Sequence, residues 1–327
     1  MPNCKAFTVF AATAALGSLA ALGSLAALGA ASPPNSACGA LAAGGAAAIA
    51  PVVVSDAARI RVVAFGDFGT GAPEQRAVAA AIATQAASEP FDLGLTLGDN
   101  FYEDGLASAA DPRWKSQWEE PYGRLDIRFF ATFGNHDVHS AASREAELAY
   151  SAASRSWCLP RAYYTFVAGP VQFFALDTNA LADGAADPDQ LAWLDRALTA
   201  GHSPWTVVYG HHPIYSNGHH GDSAALKSAL LDLLARHHVD VYLAGHDHDM
   251  QELAPEKGVR FLVAGGGGKP PRPLTNARCR IWAEPANGFL ALSADATSLA
   301  ARFVGTAGQT LHEARWQKGQ PLAECRR

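Results

Sequence analysis

The chain has 327 residues, with 25 Lys and Arg against 31 Asp and Glu, 12 His, 5 Cys, 49% hydrophobic and 17% charged residues. That hydrophobic share supports a proper core and excludes a mostly disordered chain or a disulfide-stapled miniprotein, while the length allows one large α/β domain or two smaller ones. A net charge of −6 supplies no broad basic field, so no nucleic-acid partner is expected, and an anionic small ligand would need a local cation such as a metal.

Residues 6–31 carry no charge and repeat Leu-Gly-Ser-Leu-Ala-Ala from Leu16 and again from Leu22. Behind Lys5, residues 1–37 read as a signal peptide for export to a periplasm or the medium. The same run is long enough to anchor in a membrane if it stays uncleaved. Asn35-Ser36-Ala37-Cys38 is similar to a lipoprotein cleavage box, with Asn35 where Leu is usual. Lipid on Cys38 would be a second route to a membrane. Residues 38–58 are rich in Ala and Gly, contain Pro51 and lack helical periodicity, so they read as a linker without structure. Export permits disulfides, and Cys38, Cys158, Cys279 and Cys325 allow three pairings among which the sequence does not choose. No cysteine sits at metal-ligand spacing.

From Arg59 apolar runs alternate with helical segments, the pattern of an α/β domain over residues 59–315 with a polar tail, 316–327. In chain order the spacing predicts a strand at 59–65, a helix at 73–88 opened by Pro73 and Glu74, and strands at 91–97, 128–132, 163–167 and 171–176. A helix at 189–199 repeats Leu191, Leu194 and Leu198; the next strand is at 206–209. The helix at 223–237 puts Leu226, Leu230, Leu233 and Leu234 on one face, and a strand at 239–244 comes next. After Gly258 the helical signals stop and short strands are expected at 259–263, 289–293 and 299–304.

The chemistry-bearing residues cluster at the strand ends. Gly66-Asp67-Phe68-Gly69, Gly98-Asp99-Asn100-Phe101-Tyr102, Gly134-Asn135-His136-Asp137, Gly210-His211-His212 and Gly245-His246-Asp247-His248 each place a glycine and a metal-capable side chain just beyond an apolar run. In an open α/β sheet such strand ends converge on one crevice. Taken singly, each has a bland reading. An Asp after a strand is usually a turn or a helix cap, and a buried His is usually satisfied by a hydrogen bond. His246 and His248 are stronger, since alternate residues of an extended segment face the same way. Five such ends in one chain are poorly explained by coincidence.

The ordered set GDxG, GDxxY, GNH, VxxH and GHxH resembles the calcineurin-like metallophosphoesterase superfamily and, within it, the purple acid phosphatases of the small tartrate-resistant type. The likeness runs from about Val62 to Gly268, and Tyr102 sets it apart from most metallophosphoesterases. It implies a four-layer αββα sandwich with the metal site at the carboxyl ends of the strands. Asp67, Tyr102 and His248 would bind a first metal, Asn135, His211 and His246 a second, and Asp99 would bridge them. A hard ferric ion suits carboxylate and phenolate, while Fe2+, Zn2+ or Mn2+ suits the imidazole-rich side. The implied reaction is phosphomonoester hydrolysis by in-line attack of a metal-bound hydroxide. The alternatives are a phosphodiesterase or nucleotidase of the same superfamily, or a metal- or phosphate-binding protein without catalysis.

His136 matches the family's substrate-side histidine, against the plainer reading that Asp137 locks it as a support. His220 matches a second such histidine, with His219 as substitute or a solvent-exposed loop histidine as the bland alternative. His212 reads as a neighbour of a ligand. Gly265 to Gly268 with Lys269 is similar to a phosphate-binding loop, but Pro270 stands where Ser or Thr should be, so it reads as a tight turn near the site. The aromatic residues from Trp114 to Tyr122 are expected to pack rather than to line a nucleobase pocket.

Overall fold

The computed structural model describes residues 34–43, 50–201, 203–276 and 280–322. Fifteen strands lie in this part of the chain: β1 Val52–Ser55, β2 Arg59–Phe65, β3 Leu93–Thr96, β4 Phe129–Ala131, β5 Trp157–Cys158, β6 Tyr164–Ala168, β7 Val171–Ala175, β8 Trp205–Tyr209, β9 Val241–Ala244, β10 Met250–Glu256, β11 Val259–Ala264, β12 Arg280–Glu284, β13 Gly288–Asp295, β14 Ser298–Gly305 and β15 Thr310–Gln317. They form an eight-stranded sheet, β1-β6-β7-β8-β9-β11-β10-β12, and a seven-stranded sheet, β15-β14-β13-β2-β3-β4-β5. The longer helices are α1 Pro34–Ala43, α2 Pro73–Ser88, α3 Ala141–Tyr150, α4 Pro188–Thr199 and α5 Ala224–Arg236.

Strand alternation builds the layers. Phe173, Val207, Val241 and Leu243 face the core shared by the two sheets, while their neighbours Phe174, Val208 and Tyr242 join a second cluster with Trp193 and Leu194 of α4 and Leu226, Leu230 and Leu234 of α5. On the other sheet α2 contributes Val78 and Ile82, and Trp114, Trp118 and Tyr122 are buried as packing residues. The outcome is the α/β sandwich expected from the sequence. Each outer helix has a start signal: Ser223 accepts from Leu226 N at 3.2 Å, and Asp187 accepts from Gln190 N at 3.1 Å ahead of Pro188.

The segment 38–58 is not the structureless linker expected. Helix α1 runs through its start with Cys38 and Leu41 buried, and β1 pairs in parallel with β6, Val52 opposite Phe166. The β-branched run Val52 to Val54 supplied a strand signal that the Ala-Gly composition masked. Cys38 is bonded to Cys158, one of the pairings the sequence left open. At the other end β15 extends to Gln317, past the expected boundary. Helix α3 and strands β5, β10, β12 and β15 were likewise absent from the pattern-based reading. The pairings of Cys279 and Cys325 and most of the signal segment lie outside the described residues, among which no helix is long and apolar enough to cross a membrane.

Candidate metal centre

Asp67 lies just past β2, Asp99 and Tyr102 past β3, Asn135 and His136 past β4, His211 past β8, and His246 and His248 past β9. Strands β2, β3 and β4 are parallel neighbours, with Phe65, Thr96 and Ala131 in one row, so their loops start side by side. In the other sheet Tyr209 of β8 pairs with Leu243 of β9, which aligns the remaining loops. All five ends therefore open into one crevice at the carboxyl edge.

The glycines of the motifs let these loops touch. A Cβ on Gly134 would lie 2.1 Å from Asp99 N, and Gly98 holds φ at +84°. Asp67, Asp99 and His246 themselves adopt φ of 59°, 53° and 70°. Side chains held in this left-handed region cost on the order of 1–3 kcal/mol each and collect at functional sites.

His211 is fully buried, and its Nδ1 lies 2.8 Å from the Leu97 carbonyl oxygen. That oxygen only accepts, so Nδ1 carries the proton and Nε2 presents a lone pair. Around this lone pair stand Asn135 Oδ1 at 3.1 Å, Asp99 Oδ1 at 3.3 Å and His246 Nδ1 at 3.1 Å. Three acceptors with at most one proton among them, from His246, make a place for a cation. On the opposite side of Asp99 the Tyr102 hydroxyl donates to Oδ2 at 2.7 Å and lies 3.4 Å from Asp67 Oδ1, which is 3.7 Å from His248 Nε2. Asp99 thus presents one oxygen to each group. Asp67, Asp99 and His211 offer ligand atoms within 4.8 Å of one another, as do His211, His212 and His246. The donor set fits a binuclear metal centre.

The electrostatics agree. Burial, then the charge of Asp99, pushes the Asp67 carboxyl well above the usual carboxylate range. Burial, then the Asp67 and Asp99 charges, pushes the Tyr102 phenol up. Burial also acts upward on Asp99, but the imidazoles of His211 and His136 and the Tyr102 bond outweigh it and hold the carboxyl low. Burial lowers His246 well below its ordinary value, with the neighbouring histidines adding to it, and lowers His248 to about 4, with Arg272 adding to it. A buried carboxyl and a phenol held against their own ionisation are groups whose anionic forms a cation would stabilise.

Residues 60–250 match the model of the calcineurin-like phosphoesterase family. Tartrate-resistant acid phosphatase type 5 of Sus scrofa is 35% identical over 239 residues, which cover 64% of this chain and 69% of that protein. The chain belongs to the purple acid phosphatases of this superfamily. Two solved structures share the fold: Plasmodium GAP50, the anchor in the inner membrane complex, at TM-score 0.72 and 21% identity over 80% of this chain and 90% of that one; and the purple acid phosphatase PPD1 of yellow lupin, at 0.65 and 18% over 81% and 55%. As a member of the acid phosphatases, the protein is a metal-dependent phosphoester hydrolase.

In this purple acid phosphatase His136 stands at the rim, its side chain one quarter exposed. Its Nδ1 bonds the Glu103 carbonyl oxygen and its Nε2 lies 4.0 Å from Asp99 Oδ2. Asp137 does not lock this ring; it accepts from the backbone nitrogens of Asn100, Phe101 and Gly134 at 2.8, 3.1 and 2.7 Å and so ties two motif loops together. His220 rather than His219 approaches the centre, its ring centroid 4.0 Å from that of His246. His212 places Nδ1 2.9 Å from the Thr178 hydroxyl, and burial, then the neighbouring His211 imidazole, lowers it to about 3. The glycine run 265–268 is also a turn at the site, with Gly267 N bonded to Gly66 O at 3.0 Å. Sequence reasoning missed Asp247, which accepts from His220 N at 2.9 Å and from the Ser216 hydroxyl, although it stands inside a motif. It also missed Arg272, for which no local pattern exists.

Proposed function

We propose that the protein is an exported acid phosphatase acting on phosphomonoesters, with Asp67, Tyr102 and His248 holding one ion, Asn135, His211 and His246 a second, and Asp99 joining the two. The observation that carries this reading is Asp99 itself, with Oδ1 toward the imidazole and amide group and Oδ2 toward the phenol. Carboxylate and phenolate suit Fe3+, and the imidazole side suits Fe2+, Zn2+ or Mn2+. When bound, such a pair supplies Lewis-acid charge for the phosphoryl oxygens and makes water nucleophilic at a pH where it is otherwise inert. His136, with Nδ1–H given to the Glu103 carbonyl, keeps Nε2 facing the site and can hold a proton for the departing oxygen. The His211 ring is fixed by the Leu97 carbonyl and needs no reorganisation.

The fold alone would not decide for catalysis, since GAP50 shares it and is described as an anchor. The assembled donor set favours hydrolysis. Export is supported by the uncharged run at 6–31 and by a disulfide between Cys38 and Cys158. The domain boundaries that fit are a leader in the first residues and one catalytic unit from α1 to β15.

The test combines metal content, a visible spectrum and hydrolysis of p-nitrophenyl phosphate and bis-p-nitrophenyl phosphate from about pH 4 to 9. Two metals including iron, a purple band and a monoester preference in acid are expected. Two metals without the band and a diester preference near neutrality would instead identify a phosphodiesterase. A fully metallated but inert protein would refute the catalytic reading.

A further inference from the structure

The segment after β11 lays two cations along the rim of the site. Backbone bonds fix its course: Lys269 N donates to Asp67 O at 2.9 Å and Arg272 N to His248 O at 3.2 Å. The two charges meet different partners. Lys269 Nζ pairs with Glu103 Oε1 at 2.5 Å and lies 4.1 Å over the Tyr102 ring, so a carboxylate already faces it. Arg272 gives Nη1 to His220 Nε2 at 3.0 Å and forms no ion pair among the described residues.

A guanidinium only donates and keeps its proton, so His220 Nε2 accepts and that imidazole is neutral. Asp247 Oδ1 takes the His220 backbone N–H at 2.9 Å, and no carboxylate among the described residues pairs with the guanidinium itself. From it the contacts run inward: the His220 ring lies against His246 at 4.0 Å, and His246 Nδ1 is 3.1 Å from His211 Nε2. One imidazole separates this fork-shaped cation from the candidate ligands. The pair also stands on the solvent-open side, where His219 and His220 are exposed. In a chain of net charge −6, this is a local attraction for an anion that the protein as a whole does not supply.

We propose that Arg272 recognises a second anionic group on the substrate, so that the enzyme selects phosphomonoesters whose alcohol portion bears a carboxylate or a further phosphate. The proposal rests on the phosphomonoesterase reading and adds the substrate class. A planar guanidinium matches the paired oxygens of either group.

The test uses a matched pair, glycerol 3-phosphate and 3-phosphoglycerate, which differ in a carboxylate; glycerol 1,3-bisphosphate carries a phosphate on the same carbon instead. The wild-type metalloenzyme should favour at least one dianionic probe in kcat/KM by about tenfold to a hundredfold, the size of one charge-assisted hydrogen bond. In Arg272→Gln that ratio should collapse toward one, and Arg272→Lys should keep part of it, since the charge remains and the fork is lost. Thermal midpoints within a few degrees of wild type confirm folded variants. No preference in the wild type, or an unchanged ratio in Arg272→Gln, overturns the proposal. Should the wild type hydrolyse neither p-nitrophenyl phosphate nor any of the probes, the phosphomonoesterase reading fails on its own. Calorimetric titration of the same compounds then decides Arg272 separately: tighter binding of a dianionic probe, lost in Arg272→Gln, supports its role, and equal binding overturns it.

Discussion

Removing the Cys38–Cys158 bond by a double change to alanine should cost the protein a large part of its stability. The bond joins α1 to β5 across a sequence separation of 120 residues. Closing a loop of that length restricts the unfolded chain enough to contribute about 5 kcal/mol at 25 °C on the loop-entropy account, with 2–5 kcal/mol the usual range on removing a native bridge. A domain is typically stable by only about 5–15 kcal/mol, so the effect is a substantial fraction of the whole. A second contribution is local: Leu41 is buried on the helix that the bond tethers, and its release would forfeit roughly 1.5–3 kcal/mol. Urea unfolding monitored by tryptophan fluorescence reports the core directly, because Trp118 and Trp157 are fully buried. The midpoint should fall sharply and the m-value should rise, because the unbridged denatured chain is less compact and exposes more surface, and peptide mapping of the wild type should show the Cys38–Cys158 link. A mapped link whose removal costs less than about 1 kcal/mol would refute the loop-entropy reasoning, and free thiols at both positions would refute the pairing.

The centre itself makes four further outcomes testable. Asp99→Ala should lose both metals and reduce turnover by more than the roughly 10–100-fold that a supporting residue is worth; retention of two metals by elemental analysis would remove Asp99 from the bridge. Tyr102→Phe should bleach the visible band while the circular dichroism of the fold is kept, and an unchanged band would show that the phenol is not bonded to iron. His136→Ala should lower kcat by about 10²–10⁴ with metal content intact, whereas metal loss would make it a ligand. Acid should act unevenly on the two ions. A histidine binds metal only when neutral, and burial lowers His246 well below its ordinary value, so protons compete for the ion at Asn135, His211 and His246 only at low pH; Asp67 and Tyr102, pushed upward by burial, meet that competition at higher pH. Metal content measured after dialysis at stepped pH should show one ion retained through pH 5, and loss of both between about pH 7 and 6, near the ordinary histidine pKa, would contradict this.

Much of the centre was legible because each ligand sits in a contiguous motif at a strand end, where a glycine, a short side chain and an apolar run leave a local trace. Most strands and helices from Arg59 to Val263, though not α3, β5 or β10, were legible for the same reason, in the spacing of Leu191 and Leu194 or of Leu226 and Leu230. The parts that could not be read depend on contacts far apart in the chain. Cys38 and Cys158 meet across 120 positions, His220 meets Arg272 across 52 positions, and α1 with β1 was hidden by composition. Glu252 is buried on β10 where it meets His312, also buried in part, from β15. Such polar strands break the alternation that a pattern search needs.

The positions of Asp67, Asp99 and His246 show how the fold and the metal share one free-energy account. Each residue stands at positive φ, together a cost on the order of 3–9 kcal/mol, and two buried carboxylates add repulsion. Bonds from neighbouring loops offset part of this: Asp67 N to Gly98 O at 3.0 Å, His246 N to Asp67 Oδ2 at 2.8 Å and His136 N to Asp99 Oδ1 at 3.0 Å. These bonds hold the backbone but leave the side-chain oxygens and nitrogens aimed at one another. Only a cation satisfies them together, so whatever strain remains is released as metal affinity, and ligand binding to the native state alone raises its stability.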